Sequence, residues 1–314
     1  MRSAADISTF DHVAGVNAPR VEPSRASAPP PSRLVDFYEL TKPRMNFLVV
    51  ITTMVGFCIA SRGRLDWLLL VHTLLGTAMT AAAASVLNQF VERDLDAKMP
   101  RTRNRPLPAG RIAPREALVM GVSLGVTGVA YLAMLVNPLT ALIGFITLAS
   151  YVFVYTPLKR RTSLNTVVGA VPGALPPVMG CTAALGALSP EALVLFAILF
   201  FWQMPHFLAI AILYRDDYAL GGFKMLPVVD GELNFTSRQI VLYAAALVPV
   251  SLTPSLIGIA GPRYFACAVL GGLALLSFAV SCATTRSRGD ARLLFLASII
   301  YLPLLLAVLM IDKT

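Results

Sequence analysis

Read for polarity alone, the chain is a series of long apolar runs separated by short charged segments. Runs of about 20 residues, the length that crosses a hydrocarbon core, fall at 45–61, 66–90, 115–136, 138–155, 164–185, 190–213, 239–259, 264–284 and 292–311. The pattern predicts an all-α, polytopic membrane protein with nine transmembrane helices. The segments between the runs orient them, because lysine and arginine are retained on the cytoplasmic side of short loops. With the N-terminus in the cytoplasm, only Arg62, Arg64, Arg263 and Lys313 of the 26 lysines and arginines fall outside. One miscounted helix in mid-chain would swap every later loop, so the count and the orientation support each other.

Composition agrees: 56% of the 314 residues are hydrophobic and 14% charged, far from the soluble average. The stretch 1–35, with "PSRASAPPPSR", has no apolar run and is expected to be a disordered cytoplasmic tail, leaving 36–314 as the membrane domain. Asp6 and Asp11 argue against a transit peptide, which is acid-poor. The net charge of +9 is explained by the membrane topology and does not point to nucleic acid. Cys58, Cys181, Cys267 and Cys282 are scattered through the apolar runs and read as packing residues. No phosphate-cradling Gly-rich loop, nucleophile elbow or HExxH motif occurs.

The placement of acid changes the picture. None of the 17 Asp and Glu residues lies in the middle of a run, where each would cost about 2.5–3.5 kcal/mol. They gather at two edges: Glu92, Asp94 and Asp96 after the second run, and Asp216 and Asp217 after the sixth. An even number of crossings separates the edges, so both fall on one face of the membrane, expected to be cytoplasmic. On a continuing helix Asn88, Glu92 and Asp96 drift by only about 40° per step and share a face, while Asp94 points away. Oxygen ligands ringed by arginine suit a magnesium-bound diphosphate, carboxylate for the hard cation and guanidinium for phosphate. The plainer alternative is a solvated loop whose acids pair with Arg93 and Lys98.

Asn88, Glu92 and Asp96 resemble the N-x-x-x-D-x-x-x-D signature of the UbiA-type intramembrane prenyltransferases. The stretches "TKPRMNFLVV", "NQFVERDLDAKMPRTRNRPLPAG", "YTPLKRRTSLNTVVGAVPGALPPVMG" and "FWQMPHFLAIAILYRDDYALGGFKMLPVV" are similar to the haem-farnesylating branch of that superfamily. The resemblance runs from about Asp36 to the C-terminus. It implies a nine-helix bundle in the cell inner membrane with two acidic motifs facing the cytoplasm. It also implies transfer of the farnesyl group of farnesyl diphosphate to a vinyl group of haem B, with water addition, giving haem O and diphosphate. Magnesium would be held by Asn88, Glu92, Asp96 and Asp217, with Asp216 the second candidate. Two departures stand out. Glu92 replaces the usual aspartate, and the second motif is compressed to an adjacent pair followed by Gly221, Gly222 and Lys224.

The same resemblance makes Arg93, Arg103, Arg105, Lys159, Arg160 and Lys224 candidates for the diphosphate, and Phe90, Tyr155, Phe201, Trp202 and Phe207 for a farnesyl chamber. His206, at membrane depth, is either a haem contact through neutral imidazole or a buried histidine bonded to a carbonyl freed by Pro205. His72, roughly 24 Å from Asn88 along a straight helix, is a weaker haem candidate, and His12 belongs to the tail. Gly169, Pro172, Gly173, Pro176, Pro177 and Gly180 either widen the chamber or serve helix packing. A prenyltransferase acting on an aromatic quinone precursor and a non-catalytic lipid or haem carrier are the rival readings. Haem A synthase or oxidase assembly factors are the protein partners that the resemblance implies.

Overall fold

A computed structural model describes residues 32–314. The elements are helices α1 (Arg33–Leu40), α2 (Pro43–Ala60), α3 (Trp67–Asp96), α4 (Pro114–Leu135) and α5 (Pro138–Ala149), then a π-helical turn, Ser150–Tyr155, that runs into α6 (Thr156–Leu158). There follow α7 (Asn165–Leu185), α8 (Pro190–Leu213), the short α9 (Arg215–Leu220) and α10 (Leu226–Val229), α11 (Asn234–Leu256), α12 (Pro262–Thr285) and α13 (Arg288–Ile311). Nine of these, counting α5 to α6 as one, are long and apolar enough to cross a membrane. The protein is all-α among the described residues, as the apolar runs predict. Helix α1 begins inside the stretch expected to be tail, and residues 1–31, with His12, Asp6 and Asp11, lie outside the described residues.

Helix starts follow from local chemistry. Asp66, Asn137, Ser189 and Ser287 each accept a hydrogen bond from a backbone N–H of the first turn of α3, α5, α8 and α13, satisfying donors that have no partner inside the helix. Proline stands in the first turn of α2, α4, α5, α8 and α12, where its missing N–H costs nothing.

Helices α2, α3, α4, α5 and α7 pack against one another on one side, and α8, α11, α12 and α13 on the other, with α7 against α8 as the join. The glycines and prolines of α7 serve close packing. A Cβ on Gly56 of α2 would come within 2.0 Å of Pro177 O, and one on Gly180 within 2.0 Å of Thr53 O. Pro172, Pro176 and Pro177 are buried in a helix that stays continuous. Small residues that let backbones approach are what holds helices together in lipid, where apolar burial gives no drive. Large apolar side chains such as Phe47, Phe153, Leu270 and Ile300 face outward, which suits a hydrocarbon solvent. All four cysteines are free.

Helix α1 is fastened to the α3 end of the bundle. Gln89 Nε2 donates to Leu40 O at 2.7 Å, and Arg111 Nε lies 2.8 Å from the buried Asp36. Leu40 packs there with Val86, Leu107, Ile112 and Ala117, and Phe90 lies against this cluster. That anchorage sets the position of the sharp turn before α2, where Lys42 has a left-handed backbone, φ 48° and ψ 59°.

Candidate active site

Helix α3 does not stop at the end of its apolar run. It continues to Asp96, so Asn88, Glu92 and Asp96 lie on one face, and all three are buried, at 2%, 5% and 1% exposed. Buried charge is costly unless paired, and each of the three side chains has at least one polar partner. Asn88 Oδ1 accepts from Lys42 Nζ at 3.4 Å, and its Nδ2 donates to Thr156 Oγ1 at 3.1 Å. Glu92 receives Lys159, whose Nζ is 2.8 Å from Oε1 but aligned for a hydrogen bond only with Oε2, at 3.2 Å. Oε1 is buried and otherwise without a hydrogen-bond partner. Asp96 Oδ2 accepts from Arg105 Nη1 at 2.7 Å, and Thr102 Oγ1 donates to the Asp96 carbonyl at 2.8 Å. Asp94 points outward to Arg93 at 3.6 Å.

The π turn delivers Thr156 and Lys159. One extra residue per turn rotates everything after it, and such turns recur at functional sites. Here the Tyr151 and Tyr155 rings pack with centroids 5.2 Å apart, tilted by 49°, and Lys159 Nζ sits 4.6 Å from the Tyr155 ring and 5.8 Å from that of Phe223. Gly169 makes room for Tyr155, since a Cβ there would be 2.4 Å from the ring.

The second acidic edge reaches the same end of the bundle. Lys224 N donates to Lys159 O at 2.7 Å, Asn165 Nδ2 donates to Lys224 O at 3.0 Å, and Met99 packs with Phe223, Ala211 and Met225. Asp217 Oδ2 lies 4.0 Å from Arg101 Nε. The Arg101 guanidinium sits over Tyr214 at 4.6 Å and Tyr218 at 5.7 Å. Asp216 instead pairs with Arg288 at 2.5 Å, on a side chain 76% exposed against 21% for Asp217.

The electrostatics follow from three cations around two acids. Burial pulls the Lys42 ammonium down to about 7, Arg105 and Lys159 push the same way, and Glu92 and Asp96 oppose. For Lys159 burial is the largest single influence and also lowers, but the Glu92 carboxylate in contact, together with Tyr155 and Tyr151, raises by more in sum and holds the ammonium above the ordinary lysine value.

The remaining sequence candidates divide. Arg105 and Lys159 join the acids, with Tyr155 beside them. Arg93 does not: its Nη1 donates to Phe90 O at 2.8 Å and its guanidinium lies over the Phe90 ring at 4.9 Å, so both belong to the outer side of α3. Arg103, Arg160 and the Lys224 side chain are exposed. Phe201 faces Tyr243 at 6.1 Å. Trp202 and His206 line the contact of α8 with α13, and Phe207 lies 5.6 Å from the His206 ring. His206 Nδ1 meets Ser298 Oγ at 2.8 Å and not a carbonyl freed by Pro205. His72 is engaged by Tyr131 Oη at 2.7 Å. Lys42 and Thr156 contact Asn88, and Arg101 faces Asp217; these three were not singled out by sequence.

Below the acids, an apolar cavity lies between α2, α3, α5 and α7, lined among others by Val49, Thr77, Ala81, Ala84, Leu148 and Met179. Ala84, Ala81 and Thr77 continue the face of α3 that carries Asn88 and Glu92, by steps of four, three and four residues.

No three His, Cys, Asp or Glu side chains among the described residues converge as a metal cage. Magnesium does not require one, because it is usually held by one or two carboxylates together with the phosphates of its substrate. The all-oxygen donor set fits an ion arriving in that way, and Glu92 Oε1, neutralised by Lys159 at 2.8 Å but without an aligned hydrogen bond, is the oxygen best placed to turn to it.

Residues 49–302 match the UbiA prenyltransferase family, and the chain belongs to it: it is a membrane enzyme that transfers prenyl groups. Its relatives narrow the class. It is 47% identical over 287 residues to the protoheme IX farnesyltransferase of Solibacter usitatus, covering 88% of this chain and 98% of that one. It is also 47% identical over 277 residues to the protoheme IX farnesyltransferase of Anaeromyxobacter sp., covering 88% and 93%. Among solved structures, digeranylgeranylglyceryl phosphate synthase shares the fold with a TM-score of 0.76 at 15% identity, over 89% of this chain and 98% of that one. A UbiA homolog from Archaeoglobus fulgidus bound to GPP and Mg2+ gives a TM-score of 0.64 at 18% identity, over 87% and 99%.

Proposed function

We propose that this enzyme transfers the farnesyl group of farnesyl diphosphate to a vinyl group of haem B, with addition of water, to give haem O and diphosphate. The observation that carries the reading is the buried Asn88–Glu92–Asp96 face with its Lys42, Lys159 and Arg105 partners, directly above an apolar cavity. The acceptor is assigned from the names of the relatives.

In the reaction the C1–O bond of farnesyl diphosphate breaks and the electron pair leaves with diphosphate. The allylic carbon bonds to the vinyl terminus, water bonds to the neighbouring carbon, and one proton is released. Negative charge on the leaving oxygens is the electrostatic problem. Lys42, Lys159 and Arg105 already face one another across the acids, so an arriving diphosphate meets preorganised donors. Asn88, Glu92 and Asp96, with Asp217 from α9, would hold the metal once these cations have turned to phosphate. Magnesium would supply charge neutralisation of the departing diphosphate. Asp216 is the less suitable of the acidic pair, because it turns outward to Arg288. Tyr155 and Tyr151 would wall the cation with ring faces, and the apolar cavity along α3, about 30 Å³ in volume, would have to widen to take the farnesyl chain and exclude water. His206 and Trp202 would contact the porphyrin. We place the N-terminus and both acidic edges on the cytoplasmic side of the inner membrane, on the lysine and arginine bias of the loops.

The test is to incubate purified protein in detergent with magnesium, farnesyl diphosphate and protohaem, and to weigh the extracted haem by mass spectrometry. A gain of one farnesyl group and one water, lost in Asp96→Asn, is expected. Consumption of farnesyl diphosphate with unchanged haem would transfer the acceptor to another class, such as an aromatic quinone precursor. No consumption at all would leave a carrier.

A further inference from the structure

Helices α8 and α13 are fastened together at one level by two hydrogen bonds, both to Ser298. Trp202 Nε1 donates to the Ser298 carbonyl at 2.9 Å, and His206 Nδ1 meets the Ser298 hydroxyl at 2.8 Å. That hydroxyl also approaches Phe295 O at 2.6 Å. A serine has a single proton, and a carbonyl oxygen can only accept, so the proton lies toward Phe295. Ser298 Oγ is therefore the acceptor and His206 Nδ1–H the donor.

The proton count fixes the tautomer. A neutral ring that donates from Nδ1 carries its lone pair on Nε2, and no group among the described residues bonds that nitrogen. The ring is also held in orientation, with Trp202 stacked on it at 4.8 Å and Phe295 tilted against it at 5.1 Å. An imidazole that donates one N–H to a fixed oxygen and leaves the other nitrogen bare is the arrangement that metal-ligating histidines adopt. The imidazole lies on the helix that leads into the second acidic edge, about 10 Å before its last residue, Leu213. A haem held there sits on the membrane side of the diphosphate site.

We propose that His206 Nε2 is the axial ligand of the haem iron while the porphyrin waits for the farnesyl cation, and that Ser298 is the positioning residue that holds the ring in the ligating tautomer. This rests on haem being the acceptor.

Spectroscopy reads the bond directly. Ferrous haem on the full-length protein in detergent should give an iron–histidine stretch by resonance Raman. His206→Ala should lose that band, with added imidazole restoring a nitrogen-ligated spectrum. Ser298→Ala should weaken haem binding by about 10- to 100-fold, the usual cost of removing a partner behind a metal ligand, and shift the band, while Ser298→Thr keeps both. The ligand assignment is overturned by a band that survives His206→Ala, and the positioning role by Ser298→Ala protein that binds and scatters as wild type does. Wild type that farnesylates haem without an iron–histidine band would sink the ligand and leave the proposed function standing. Wild type that takes up no haem yet consumes farnesyl diphosphate would sink both.

Discussion

The two acidic edges are built differently. The first is carried by a helix of 30 residues, and its two inward carboxylates, Glu92 and Asp96, are almost wholly buried, each held by one cation at 2.7–2.8 Å. The second is carried by α9, a helix of six residues with none buried, and the closest approach of Asp217 to a cation is 4.0 Å. The first edge has met the cost of desolvating its charges during folding, so its geometry is fixed before substrate arrives. The second is solvated, and adjusts at low cost. In the proposed reaction a diphosphate would thus be received by a rigid floor and closed over by a compliant side, which would let the compressed acidic pair be tolerated at the second edge.

The comparison is broken most strongly at Asp96. Asp96→Asn removes a carboxylate and leaves Arg105 facing a neutral amide, so farnesyl transfer should fall by at least about 10³-fold, and stability by about 3 kcal/mol from the broken pair. Activity and thermal melting measured together check this, and a folded variant with activity within tenfold of wild type would remove Asp96 from the site. Lys159→Met comes next. It strips one donor from the diphosphate and leaves Glu92 unpaired, so turnover should fall by about 10²- to 10³-fold. Asp217→Asn, on the compliant edge, should lower turnover by about 30-fold with no change in melting temperature, because no buried partner is stranded.

Lys42 gives a smaller and pH-dependent effect. Its amine is pulled to about 7, below the ordinary lysine value, so it loses its charge as pH rises through 7. If diphosphate binding uses that charge, affinity for farnesyl diphosphate should fall by up to about tenfold as pH rises from 7 to 8. Stability moves the other way. Between pH 7 and the unfolded lysine value the unfolded chain binds the extra proton, so stability rises with pH across that window. Isothermal titration across pH 6–9 tests the binding arm, and Lys42→Arg should flatten it.

The long helices were legible because apolar length and lysine placement are summed over many residues and tolerate local error. Asn88, Glu92 and Asp96 were legible for the opposite reason: three polar groups at helical spacing at the end of an apolar run have few other uses. Lys42 escaped notice because a lysine before a transmembrane helix satisfies the topology rule whether or not it turns inward. Its left-handed backbone and the anchorage of α1 through Gln89 and Asp36 make it turn. Arg103 and Arg105 are alike in sequence, and only the folding of the 97–113 loop decides that Arg105 reaches Asp96. The π turn is equally hidden, because nothing in "SYVFVY" announces the extra residue that aims Thr156 at Asn88. Ser298 is one small residue in an apolar run, and its role exists only through the neighbouring helix.

The smallest expected effect sharpens the comparison most. Asp216 and Asp217 are adjacent, chemically identical and both on α9, so sequence cannot separate them. Structure does: Asp216 is committed to Arg288 at the start of α13, on an exposed side chain, whereas Asp217 turns toward Arg101 and the end of α3. Exposed ion pairs are worth little, so Asp216→Asn should leave turnover within about twofold of wild type and the melting temperature unmoved. A variant as damaged as Asp217→Asn would mean that α9 rotates when diphosphate binds and exchanges the two carboxylates. The second edge would then be a moving part, and Arg288 the residue that holds it open. Arg288→Ala discriminates the cases, since it should raise the affinity for farnesyl diphosphate only if Asp216 has to leave that pair in order to work.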